Sequence, residues 1–173
     1  MFQIEVKGLD RLVKRLENYA NDLESKKKTF LEKLGEIGVT AAKFRFADAE
    51  YAGFNDVAVE PTWIDDNTLA VMAVGSSVLF IEFGTGIRYE EHPMADEFGY
   101  HHGTYGQGKG ANPKGWVYKG VQGNAGIPVT DRSGRVKDGV YRTFGNPPAR
   151  AMYEASKDMR NKLLDIAKEV FTP

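Results

Sequence analysis

Three histidines, His92, His101 and His102, stand close together in the chain among the carboxylates Glu90, Glu91, Asp96 and Glu97. Imidazole nitrogens and carboxylate oxygens are the ligands of catalytic zinc, which activates a bound water. The segment would therefore suit a small metal-dependent hydrolase. Its spacing argues otherwise. The i, i+4 histidine pair of a helical metal site is missing, and the surrounding stretch is rich in glycine. Exposed loop histidines are the plainer reading. A second candidate, Gly103-x-x-Gly106-x-Gly108-Lys109-Gly110, resembles a phosphate loop in composition only. It lacks the GxxxxGK[ST] spacing and a strand–loop–helix frame. No serine occupies a G-x-S-x-G elbow, and cysteine is absent, which removes thiolate nucleophiles and thiolate metal sites. On these residues we expect no enzyme, no cofactor and no resident metal.

Composition narrows the class. A chain of 173 residues with 42% hydrophobic content is long enough for one domain. A formal charge of -1 is unlike the basic balance of a general nucleic-acid binder, so sequence-specific nucleic-acid binding is not expected. No apolar run approaches the ~20 residues that cross a bilayer, and Met1 to Lys7 lacks the order of a signal peptide. A reducing cytoplasm is the expected place of synthesis.

The elements that must position any site are organised around Val78-Leu79-Phe80-Ile81-Glu82-Phe83-Gly84-Thr85-Gly86, the most apolar run in the chain. Ser76 and Ser77 could cap a helix beginning there, and Glu82 needs a partner because an unpaired buried carboxylate is very costly. Gly84 and Gly86 allow a sharp turn. Before this run, Phe2 to Val6 alternates as a short strand, and Gly8 breaks it. Leu9, Leu12, Val13 and Leu16 predict a first helix, and a second is expected from about Leu23 to Ala47 with Leu23, Phe30, Leu34, Ile37, Ala41 and Phe44 on one stripe. Lys26-Lys27-Lys28 reads as its solvated face. Gly35 and Gly38 imply a close neighbour or a bend. Val57 to Val74 predicts an antiparallel hairpin turning at Asp65-Asp66-Asn67, with its first strand interrupted at Pro61. Phe30, Phe44, Phe80 and Phe83 are expected to be largely buried.

Fourteen of the nineteen glycines fall between Gly84 and Gly145, so residues 88–142 read as a long interaction arm inserted into a core of about 1–87 and 143–173. Its aromatics, Trp116 and Tyr118 among them, argue for packing on something. Trp116-Val117-Tyr118 and Val140 to Thr143 are candidate paired strands. Asn146 and Pro148 then suit the start of a final helix, whose apolar face is Met152, Ala155, Met159, Leu163, Ile166 and Val170. The fold class is α+β: a single domain with an antiparallel sheet against two long helices.

Apolar-Glu82-Phe83-Gly84-Thr85 after a hairpin, followed later by Gly145-Asn146-Pro147-Pro148-Ala149-Arg150 opening a helix, resembles the minor tail component family of long-tailed bacteriophages. The N-terminal strand, Gly8-Leu9 and paired helices match as well, so the resemblance covers residues 1 to 87 and 143 to 171. It implies a structural protein of a phage or prophage, of the neck or tail-completion type. Such a protein acts at the head-proximal end of the tail during head–tail joining, without catalytic residues or cofactor. It implies other neck and tail proteins as partners, a homo-oligomeric ring in the virion, and assembly in the host cytoplasm. Two features depart from the family pattern. Ala151 stands where members carry a large residue after the arginine, and the segment from Arg88 to Arg142 is longer than in the family. The charged members of the two motifs, Glu82 and Arg150, are expected to pair, since a guanidinium can bond a carboxylate at two points.

Overall fold

The computed structural model describes residues 9–49, 56–101, 109–123 and 125–172. The strand expected from Phe2 to Val6, Gly8, His102 and the glycines at 103, 106 and 108 lie outside the described residues. The chain is α+β, with one long helix and two small antiparallel sheets.

The long helix, α1, runs from Leu9 to Asp48. It replaces the two helices expected from the sequence. Asn18, Asn21 and Asp22 are weak helix formers but not breakers, and no glycine or proline interrupts residues 9–34. Gly35 and Gly38 mark close neighbours, as one of the two expected alternatives had it. A Cβ at Gly38 would lie 2.5 Å from Met159 Sδ and 2.9 Å from Val71 Cγ2, and one at Gly35 would lie 2.5 Å from Leu69 Cδ2. The helix is therefore crossed there by both the hairpin and the final helix. Lys26 and Lys27 bond Asp22, Glu24 and Asn67, so the basic triplet belongs to a half-solvated face.

The hairpin is β1 (Ala58–Asp65) with β2 (Thr68–Val74), in register from Ala58 opposite Val74 to Trp63 opposite Leu69. Its turn is tied by Asp65, whose carboxylate accepts from the Asn67 N–H at 2.7 Å and the Thr68 hydroxyl at 3.1 Å. β1 continues through Pro61, which sits opposite Val71. In a two-stranded sheet a proline can turn its missing donor to the open side.

α2 (Val78–Phe83) resolves the apolar run as a helix. Neither Ser76 nor Ser77 caps it by its side chain. Asp56 does the fastening instead, accepting from the Ser76 N–H and hydroxyl, each at 2.6 Å, and from the Ser77 N–H at 3.0 Å. These donors, the Ser76 hydroxyl foremost, hold the Asp56 carboxyl below the usual carboxylate range.

The segment read as an inserted interaction arm carries a sheet of its own. After α3 (Ala95–Phe98) and a short 3₁₀ turn (Lys109–Ala111), β3 (Trp116–Lys119), β4 (Ile127–Thr130) and β5 (Val136–Thr143) form a sheet in the order β3-β5-β4. The expected pairing of Trp116–Tyr118 with Val140–Thr143 is present, Trp116 lying opposite Thr143. The β4–β5 turn is tied by Asp131, which accepts from the backbone N–H groups of Ser133 and Arg135.

α4 spans Ala151–Phe171. It starts beyond the expected Asn146–Pro148 because Arg150 takes a left-handed conformation, φ 55 and ψ 35, that a helix cannot include. The core gathers Ala42 and Phe46 of α1, Val59 of β1, Ile81 of α2, and Ala151 and Ala155 of α4. Phe83 is buried as expected and Phe30 is half-buried, but Phe44 and Phe80 are exposed, Phe44 by 72%. The buried row of α1 runs through Leu34, Gly38, Ala42 and Phe46, at intervals of four, because the small residues set where neighbours approach.

Candidate functional site at the joint of two glycine turns

Both motifs singled out by the sequence meet at one place. α2 delivers Glu82 and Phe83, then Gly84 and Gly86 turn the chain with φ of 72 and 83. On the opposing strand of chain, Gly145 turns at φ 95. The two turns are pressed together. A Cβ at Gly145 would lie 1.9 Å from the Thr85 carbonyl oxygen, and one at Gly86 would lie 2.1 Å from that of Phe144. Only glycine permits such an approach and such angles.

Hydrogen bonds close the joint. The Thr85 N–H donates to the Asn146 carbonyl at 2.8 Å, and the Asn146 N–H donates to the Thr85 hydroxyl oxygen at 2.9 Å. The Ala149 N–H donates to the Ile81 carbonyl at 2.8 Å, and the Arg150 N–H to that of Glu82 at 3.2 Å. Pro148 lies between these ties, its nitrogen against Gly84.

Glu82 occupies the centre and is buried. One carboxylate oxygen accepts from the Met152 N–H at 2.8 Å; the other accepts from the Tyr153 N–H at 3.0 Å and faces His92 Nε2 at 3.1 Å. Met152 and Tyr153 are the second and third residues of α4, whose free N–H groups an N-cap side chain normally satisfies. Arg150 stands at the cap position and has no acceptor to offer. Glu82 supplies the cap from 70 residues upstream, placing a negative charge where the helix dipole favours one.

The expected side-chain pair between Glu82 and Arg150 is not formed. The Arg150 guanidinium bonds Glu90 at 3.2 Å and the Glu91 carbonyl at 3.3 Å instead. Glu82 and Arg150 themselves meet through the Arg150 N–H, which donates to the Glu82 carbonyl.

His92 is the member that sequence reasoning missed as a structural residue. It is buried, tilted on Phe83 with ring centroids 4.4 Å apart and edge-on to Tyr153 at 5.5 Å. Its Nδ1 accepts from the Met94 N–H at 3.1 Å, which leaves Nε2 to carry the proton toward Glu82. Burial pushes its pKa below the ordinary histidine value; the Glu82 carboxylate opposes this and Arg150 adds to it. Only its nearness to Glu82 in sequence, ten residues apart, hinted at the contact.

The histidines expected together are thus divided. His92 is committed to the joint, while His101 lies half-exposed beside Glu91 at 3.2 Å and Asp96 at 3.8 Å. Among the described residues no group of three or more histidine, aspartate or glutamate side chains is arranged to hold a metal ion. Trp116 and Tyr118 stand apart from the joint. Tyr118 packs on its cross-strand neighbour Tyr141 at 5.6 Å and accepts the Gly123 N–H at 2.8 Å. The base of the β3–β5 sheet is held to the joint by Arg88, stacked 3.3 Å over the Phe144 ring, and by Tyr89, whose hydroxyl donates to the Gly145 carbonyl.

The chain matches no family model, no curated protein and no solved structure. No described helix is long and apolar enough to cross a membrane.

Proposed function

We propose that this chain is a structural protein of a phage or prophage, of the neck or tail-completion type, acting at the head-proximal end of the tail when head and tail are joined. The reading rests on the resemblance of the Glu82-Phe83-Gly84-Thr85 and Gly145-to-Arg150 motifs to the minor tail component family. One observation carries it furthest: residues 61 positions apart, Thr85 and Asn146, bond each other, and both motifs interlock as a single joint. Residue pairs that act only through one another give a reason for the two motifs to occur together. The joint has the chemistry of a fastener. Its carboxylate is spent on capping and its histidine on holding that carboxylate, so neither is free for a substrate.

Broad apolar exposure fits an assembling part better than a freestanding one. Leu16, Tyr19, Phe44, Ile64, Val74 and Leu164 are each more than half exposed. In the assembled particle the chain repeats as a ring, through heterologous contacts that close by rotation, and meets other neck and tail proteins.

The test is genetic and microscopic. In a phage or prophage carrying the gene, its deletion should yield filled heads and separate tails, restored to joined particles by the gene in trans. Gold-labelled antibody should decorate the head–tail junction. Joined, infectious particles from the deletion strain would overturn the proposal. Zinc or manganese at one equivalent per purified chain would favour the hydrolase instead.

A further inference from the structure

The first part of α1 lies open among the described residues. Every residue from Asp10 to Ser25 is exposed, a length of about 24 Å at 1.5 Å per residue, and burial begins only at Lys26. Isolated helices of this length are marginal in water without a covered apolar face. Yet this stretch carries an apolar seam. Leu9, Leu12, Leu16, Tyr19 and Leu23 recur at alternating intervals of three and four, the pattern of one face in a two-stranded coiled coil. The described ones are exposed by 45% to 67%.

The charges beside the seam indicate what covers it. Residues 9–16 carry Asp10, Arg11, Lys14 and Arg15, a net charge of +2, while residues 17–24 carry Glu17, Asp22 and Glu24, a net charge of -3. Two copies laid side by side in parallel would bring like charges together. Two antiparallel copies bring each basic half against an acidic half. The register is then fixed by the seam. Leu12 of one copy packs on Leu23 of the other, and Leu16 on Tyr19, about a dyad between residues 17 and 18. The same register sets Arg15 against Asp22 of the second copy, twice by symmetry, and places Val13 against Ala20 so that the apolar strip widens. Asp22 already receives Lys26 of its own helix at 3.2 Å and, with 59% of its side chain exposed, can accept a second donor.

We infer that the occupant of this seam is a second copy of the chain, and that the protein in solution is an antiparallel dimer joined through residues 9–25 of α1. This contact is isologous, unlike the heterologous contacts of a ring, and it does not depend on the proposed place in the virion.

Sedimentation equilibrium of the whole protein tests it. The expected mass is twice the 19.2 kDa of one chain at micromolar concentration. Leu16→Glu should raise the dimer dissociation constant at least tenfold while leaving helicity and melting of the body unchanged, since Leu16 is exposed and lies outside the described core. R15D and D22R should each weaken the dimer several-fold, and R15D/D22R together should restore it. Because the chain lacks cysteine, L16C and Y19C proteins can be mixed and oxidised, and a disulfide between the two different variants should exceed that within either alone. A wild-type monomer would overturn the inference, as when the chain's own residues 2–6 cover the seam. So would a dimer indifferent to Leu16→Glu, a double charge swap no better than the single ones, or preferential linkage of L16C to itself.

Discussion

Removing the Glu82 carboxylate is the sharpest test of the joint. Glu82→Ala leaves three donors without their acceptor: the N–H groups of Met152 and Tyr153 and the Nε2–H of His92. A buried donor left unpaired costs about 1–3 kcal/mol, and losing an N-cap typically costs about 1 kcal/mol. The two backbone donors are part-buried, so water can reach them in the variant. His92 is 4% exposed, so its donor cannot be reached so readily. The expected loss is therefore about 3–5 kcal/mol, a large share of the about 5–15 kcal/mol of a typical domain. At about 2–4 °C per kcal/mol for a chain of this length, melting should fall by roughly 10 °C. Glu82→Gln keeps the shape but turns a donor toward a donor, and should cost about 1–2 kcal/mol. Urea and thermal unfolding followed by circular dichroism measure both. Double-mutant cycles then separate the partners. Glu82→Ala with His92→Phe should be strongly non-additive, while Glu82→Ala with Arg150→Ala should add within about 0.5 kcal/mol. A loss under about 1 kcal/mol for Glu82→Ala, or a large coupling to Arg150, would refute the capping account.

Three further outcomes follow from the same geometry. His92 is held below the ordinary value of 6.5, mainly by burial, so the unfolded chain binds its proton first as pH falls; stability should be full above about pH 6.5 and decline below it, and His92→Gln should flatten that slope in unfolding curves taken from pH 7.5 to 5. Gly38→Ala should destabilise by about 1–3 kcal/mol despite better helix propensity, because its Cβ meets Met159 and Val71, and Gly145→Ala should cost more, because its clash is with the Thr85 backbone and its φ is positive; equal melting temperatures for wild type and Gly145→Ala would sink the close-approach argument. Replacing residues 117–142 by a short glycine linker should leave the helical signal and melting cooperativity intact, since Trp116 and Thr143 are already cross-strand neighbours, whereas deleting 88–142 should unfold the joint by removing His92 and the Phe98 and Tyr100 rings that pack on Phe83.

What could be read from the sequence was what is decided locally. The hairpin was legible because a period of two and an Asp-Asp-Asn turn act within a few residues. The apolar face of α4 was legible in part for the same reason: Ala155 and Ile166 are buried on it, while Leu163 is exposed. Phe44 was misplaced because a stripe drawn through the largest side chains assumes that they choose the buried face. Here Gly35, Gly38 and Ala42 choose it by admitting neighbours, and Phe46 follows while Phe44 faces out. The start of α4 was misplaced for a related reason. Capping rules search the residues just before a helix, but the acceptor for Met152 and Tyr153 lies on another element. No local signal distinguishes Glu82 as that acceptor from Glu82 as a partner for Arg150. The order within residues 88–142 was underestimated because glycine reads as freedom, whereas Gly115 is packed against the Thr143 carbonyl and the Phe144 ring, serving close contact.

The joint also explains how so long a segment sits inside a small core. Gly86 and Gly145 lie in backbone contact, so the segment between them begins and ends at one point, while His92, Phe98 and Tyr100 within it stay packed against Glu82 and Phe83. Once the ends are fixed, the closure entropy of the excursion grows only slowly with its length, by about 0.6 kcal/mol per doubling. Length in this segment is therefore cheap, provided the point of closure holds. Backbone strain at the joint falls on Arg150, the one non-glycine residue with positive φ among the described residues. The Thr85–Asn146 ties and the Glu82 cap offset it. A carboxylate that bridges α2, α4 and His92 thus couples the folding of the core to the anchoring of the excursion.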